Sequence, residues 1–106
     1  MKPLPLMIKP GTRIRGLRPE TLLGITVVFA TYQHFGYQCV LTSVCDGRHS
    51  AGSLHYQGAA FDVRIWTVPP DRRQEVAGAC REALGADFDV VLESDHLHVE
   101  YQPKGP

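Results

Sequence analysis

Ser53, His55, Gly58, Ala60 and Asp62 lie within one ten-residue stretch, and further along the chain reads Asp95-His96-Leu97-His98-Val99-Glu100. An imidazole and a carboxylate on one short segment, joined by a second imidazole from a distant one, make a three-ligand set for zinc with an open fourth position. An open position admits a water molecule, and a zinc-bound water loses its proton near neutral pH. The chemistry these residue types suit is metal-assisted hydrolysis.

Such a set works only if the backbone brings the two segments together. Residues 59–66 alternate in the manner of a strand, with Phe61, Val63 and Ile65 on one side and Ala60, Asp62 and Arg64 on the other. Residues 96–101 alternate likewise, placing His96, His98 and Glu100 on one face and Leu97, Val99 and Tyr101 on the opposite face. Same-face residues stand about 7 Å apart along a strand, so His96 and His98 can border one pocket. Ligation of one ion by both would strain bonds of about 2.0–2.1 Å. One histidine is therefore expected as ligand and the other as neighbour. Gly58 lets the backbone bend closely between His55 and the strand that carries Asp62.

The remaining elements follow from periodicity and punctuation. Residues 1–16 carry Pro3, Pro5, Pro10, Gly11 and Gly16 and read as an N-terminal arm. Pro19 and Glu20 suit a helix first turn, where a missing N–H costs nothing and negative charge meets the dipole. Leu22, Ile25, Phe29 and Tyr32 recur at helical spacing, and Gly36 supplies a stop. Tyr37–Thr42 reads as a strand, and Pro69, Pro70 and Asp71 open a second helix with a Val76, Cys80, Leu84 stripe ended by Gly85. Asp89–Leu92 reads as a short strand, turned at Glu93–Asp95 into the histidine strand, with residues 102–106 as a loose tail. The expected architecture is α+β: a small antiparallel sheet with two packed helices and a zinc site on the sheet face, formed by a domain over residues 17–101.

Composition narrows the partners. The chain has 106 residues, with eleven basic and eleven acidic side chains and formal net charge zero. No basic face is implied, so nucleic-acid binding has no electrostatic support. The arginines at positions 13, 15, 18, 72 and 73 read as solvated surface, and His34 as a surface or capping residue at its helix end. Cys39, Cys45 and Cys80 are odd in number and lack Cys-x-x-Cys spacing, so they read as small apolar residues in a reducing compartment. The start at Lys2 is broken by prolines rather than followed by an apolar run, and the apolar stretch at residues 22–30 falls far short of the roughly 20 residues of a span. The expectation is a protein cytoplasmic on synthesis, without membrane insertion.

The motifs resemble a known family. The zinc D-Ala-D-Ala carboxypeptidases and L-alanyl-D-glutamate endopeptidases, the M15 metallopeptidases, carry Ser-x-His-x-x-Gly-x-Ala-x-Asp, and Ser53, His55, Gly58, Ala60 and Asp62 fill every fixed position. The family's later His-x-His is matched by His96 and His98. The resemblance implies His55, Asp62 and His98 as ligands of Zn2+, and Asp95, three residues before the ligand, as the catalytic carboxylate. Glu93 is its rival, since it has the same spacing to His96. His96, on the same face as the ligand, is expected to stabilise the oxyanion, and the resemblance further implies a peptidoglycan stem peptide as substrate and either terminal D-Ala removal or cleavage between L-Ala and D-Glu as the reaction. The small one-domain form looks like phage-type enzymes, which reach the cell wall through separately encoded lysis machinery.

One departure bears on the substrate. The family usually carries Thr-Ser-Gly-x-Arg ahead of the first motif, with the arginine gripping substrate. Here Thr42-Ser43 is followed by Val44-Cys45-Asp46, and Arg48 lies two residues beyond the expected position. Arg48 is the sequence's candidate for that grip. The same departure motivates an alternative, a catalytically inactive zinc-stabilised module of a virion or of a cell-wall-binding protein.

Overall fold

The computed structural model describes residues 3–45 and 58–103. Five strands and two helices follow one another along the chain: β1 (Met7–Ile8), α1 (Pro19–Phe35), β2 (Val40–Cys45), β3 (Ala60–Arg64), α2 (Arg73–Leu84), β4 (Phe88–Leu92) and β5 (His96–Tyr101), with a short 3-10 turn at Pro70–Arg72 leading into α2. The strands form one sheet in the order β1-β2-β3-β5-β4. This is the α+β architecture expected, with one difference in strand direction. β1 runs parallel to β2, whereas the other pairs are antiparallel, so the sheet is mixed. Part of the N-terminal arm thus serves as an edge strand, tied by the Met7 N–H to the Cys39 carbonyl at 3.0 Å and the Lys9 N–H to the Leu41 carbonyl at 2.9 Å.

α1 begins on Pro19, with Glu20 in its first turn, and ends at Gly36 in the left-handed conformation at φ 84°. There the Tyr37 N–H returns to the Tyr32 carbonyl at 3.0 Å, satisfying a carbonyl the helix leaves over. The buried stripe is Thr21, Gly24, Ile25, Val28 and Tyr32. Leu22, expected in that stripe, is 57 % exposed, and Phe29 is only partly buried against the core. The stripe is rotated because Gly24 faces the sheet: a Cβ there would come within 2.9 Å of the Phe88 ring and 3.3 Å of the Phe61 ring. α2 buries Val76, Ala77 and Cys80, with Leu84 packed at the rim.

Both helices pack on the face formed by Phe61 and Val63 of β3, Val90 of β4, and Leu97 and Val99 of β5. Full burial of one such aliphatic or aromatic side chain contributes roughly 1.5–3 kcal/mol. Tyr32 brings a hydroxyl into this core and donates it to the Arg64 carbonyl at 3.0 Å, which fixes the end of β3. The other face of β3 and β5 turns away from the helices and is where the motif residues converge. No helix among the described residues is long and apolar enough to cross a membrane.

Candidate metal centre

β3 and β5 pair antiparallel with Ala60 opposite Glu100, Asp62 opposite His98 and Arg64 opposite His96. This register joins the two motif segments directly. A non-local ladder, absent from either segment alone, places Asp62 and Arg64 of β3 beside His96, His98 and Glu100 of β5 on the face turned away from α1 and α2.

His98 lies at the centre and is 4 % exposed. Its Nδ1 is 2.7 Å from Asp62 Oδ1, and its Nε2 is 3.1 Å from Glu100 Oε1. Glu100, 2 % exposed, accepts a further hydrogen bond from Gln102 Nε2 at 2.7 Å on its other oxygen. Each ring nitrogen thus shares a hydrogen with a carboxylate oxygen. A cation between Nδ1 and Asp62 replaces one of those hydrogens and leaves Nε2–H on Glu100. That is the carboxylate–histidine support that ligating histidines usually have. Ligand atoms on tetrahedral zinc sit about 3.3 Å apart for bonds of about 2.0–2.1 Å, so the 2.7 Å pair need open only slightly to admit the ion. Asp62 and His98 could therefore both contact a cation placed between them.

His96 is the more exposed neighbour. Its Nδ1–H donates to Asp95 Oδ1 at 2.6 Å, and its Nε2 lies 3.8 Å from Asp62 Oδ1. The Asp95 carboxylate is largely exposed, and its hydrogen bond from His96 holds it below the usual carboxylate range. Asp95, His96, Asp62, Arg64, Trp66, Thr42 and Lys9 line a cleft of 170 Å³ beside the buried histidine. Glu93 does not line it; its backbone N–H closes the β4–β5 turn on the His96 carbonyl at 2.9 Å.

The described residues therefore bring together Asp62, Asp95, His96 and His98, and leave Glu93 at the turn. His55 and Arg48, like Asp46, His49 and Ser53, lie outside the described residues. Among the described residues no group of three or more histidine, cysteine, aspartate or glutamate side chains is arranged to hold a metal ion. The third ligand of the expected set, His55, belongs to the segment not described.

No family model matches this chain, and no curated protein matches it either. The site is accordingly read from its own geometry.

Two fixed positions of the first motif acquire physical reasons. Gly58 has φ 64°, and a Cβ there would collide with the backbone carbonyl of Gly16. Ala60 is fully buried on the polar face, flanked by Cys45 of β2 on one side and Glu100 of β5 on the other. The residues missed by sequence reasoning are Glu100 and Gln102. Glu100 was legible as a same-face neighbour of His98, but its role comes from the bond to Nε2. Gln102, assigned to the tail, is buried, and its backbone N–H bonds the Asp87 carbonyl at 2.6 Å.

Proposed function

We propose that this protein is a zinc-dependent peptidase of the M15 type that hydrolyses peptide bonds in peptidoglycan stem peptides. The observation that carries the reading is the register of β3 on β5. It sets His98 between Asp62 and Glu100 and places the Asp95–His96 pair over the adjoining cleft. The substrate class rests on the resemblance of the two motifs.

In this reading His55, Asp62 and His98 would hold the zinc, which when bound polarises the scissile carbonyl and makes water nucleophilic at neutral pH. Glu100 orients His98 and is itself held by Gln102. Asp95, kept ionised by the hydrogen bond from His96, accepts the proton of the attacking water and delivers it to the leaving amine. His96 keeps Asp95 at the cleft and offers a donor to the developing oxyanion when its imidazole is charged. Glu93, at the turn and away from the cleft lining, has no part in the proton transfer.

The test is incubation of zinc-loaded protein with purified muropeptides, followed by mass spectrometry of the products. Free D-Ala identifies a carboxypeptidase, and a fragment beginning at D-Glu identifies an endopeptidase. Stoichiometric zinc with muropeptide binding and no product at high protein concentration overturns the reading in favour of a non-catalytic module.

A further inference from the structure

The cleft beside His96 holds two cationic side chains that the metal ligands and the base leave unused. Four charged side chains line it: Asp62, Asp95, Arg64 and Lys9. Both carboxylates already have partners, since Asp62 bonds His98 and Asp95 bonds His96. Neither cation has a carboxylate within ion-pair distance among the described residues. Arg64 and Lys9 are therefore the charged groups of the cleft left to meet an incoming anion.

Arg64 is also the better placed of the two. It stands opposite His96 in the β3–β5 register and two residues from Asp62 on the same face, which is about 7 Å along the strand. Its guanidinium carbon lies over the Trp66 ring, 4.2 Å from the centroid, a cation–π contact that consumes none of its N–H donors on an acceptor oxygen. The backbone beneath it is held from the core by the Tyr32 hydroxyl on the Arg64 carbonyl, and by the Ile65 N–H on the Asp95 carbonyl at 3.3 Å. Trp66 itself is 59 % exposed, a large apolar surface at the cleft mouth. A fixed guanidinium edge suits bidentate pairing with a carboxylate, and the exposed indole suits the aliphatic part of the residue carrying it.

We propose that Arg64, held over the Trp66 ring and assisted by Lys9, anchors a free carboxylate on the leaving-group side of the substrate peptide. This gives the cleft the grip that Asp46 fails to supply in sequence, and assigns it to β3 rather than to Arg48. The inference rests on the proposed peptidase reading for the identity of the ligand, but the carboxylate site itself is testable without turnover.

Trp66 is the only tryptophan in the chain, so its emission reports on this site alone. Zinc-loaded protein is titrated with N-acetyl-D-Ala-D-Ala and, separately, with its C-terminal amide. The acid should change Trp66 emission saturably and bind about tenfold or more tightly than the amide, the size of one charge-assisted pair. Arg64→Gln should make the acid and amide equal, Arg64→Lys should restore part of the difference, and Arg48→Gln should leave it intact. Circular dichroism melts of each variant establish that it is folded. A wild type without preference for the acid, or a folded Arg64→Gln protein that keeps the preference, overturns the assignment. If muropeptides are never cleaved while the acid preference and its loss in Arg64→Gln both hold, the peptidase reading fails and the carboxylate site stands.

Discussion

β3 and β5 present two faces built by the same backbone, and the two differ in what a buried residue is for. On the helix side Phe61, Val63, Leu97 and Val99 are fully buried among other apolar side chains. On the opposite side His98 and Glu100 are almost as deeply buried, yet each is polar and each is bonded. Burial of a polar group costs free energy unless every donor and acceptor finds a partner. The apolar face accordingly stabilises the fold. The polar face is tolerated by it because its buried groups are hydrogen-bonded along the chain Asp62–His98–Glu100–Gln102.

That contrast can be broken from either side. The largest effect should come from the apolar face. Phe61→Ala removes a fully buried ring that fills the space where Gly24 has no side chain, and should cost about 3–5 kcal/mol in chemical denaturation. Residual folded protein should keep its zinc affinity, so activity should track the folded fraction. A loss of zinc affinity in the folded fraction would show that the two faces are not independent.

On the polar face, Asp95→Asn should reduce turnover by about 10²-fold or more, the usual size of a general-base contribution, with zinc stoichiometry and melting temperature unchanged. Glu93→Gln should be close to wild type in the same assay. Asp62→Asn and His98→Ala should instead lower zinc content itself, read by metal analysis after dialysis. A fully active Asp95→Asn beside an inactive, zinc-replete Glu93→Gln would exchange the roles of the two carboxylates.

Glu100→Gln tests whether the deepest polar residue works through its neighbour. It keeps the size of the side chain and weakens the acceptor at His98 Nε2, so zinc affinity should fall about 10–100-fold in competition with a chelator. An unchanged affinity would reduce Glu100 to a structural partner of Gln102.

The smallest effect at neutral pH belongs to the thiols of the apolar side. Burial pushes the Cys39 thiol up to about 12 and the Cys80 thiol up to about 11. The folded state thus holds these protons more tightly than the unfolded chain, whose thiols titrate near about 8.5. Their contribution to stability is whole below that value and is lost as pH rises towards 11 and 12. Urea midpoints measured from pH 7 to pH 10.5 should fall less steeply in a Cys39→Ala, Cys80→Ala double variant than in the wild type. Equal slopes would mean that other groups govern the alkaline limb.

Much of this arrangement could be read along the chain, because alternation is a local signal. The span His96–Tyr101 and its two faces, the start of α1 at Pro19 and its stop at Gly36 all follow from residues within a few positions of one another. What escaped was set by distant partners. β2 occupies Val40–Cys45 rather than Tyr37–Thr42 because it takes its register from β1 and β3, with an irregularity between Leu41 and Ser43. A two-residue strand such as Met7–Ile8, both about half exposed, carries no alternation to detect. Leu22 obeys helical spacing but lies on the outer side, because Gly24 and not a leucine meets Phe61 and Phe88. At the site, the pairing of Asp62 with His98 required a ladder between strands far apart in sequence, and the role of Glu100 required knowing which nitrogen of His98 it faced.

The position of β5 has a consequence for how the molecule is made. It is the last of the five strands to leave the ribosome, yet it lies inside the sheet, between β3 and β4. During synthesis β4 therefore emerges before the strand that joins it to β3, and each must wait with an edge exposed. His98 and the carboxylates on both sides of it can meet only after this late insertion. Non-local closure of this kind slows folding. A nascent chain halted before Leu97 would consequently lack both the closed sheet and the Asp62–His98–Glu100 cluster, so that cluster cannot form ahead of the fold.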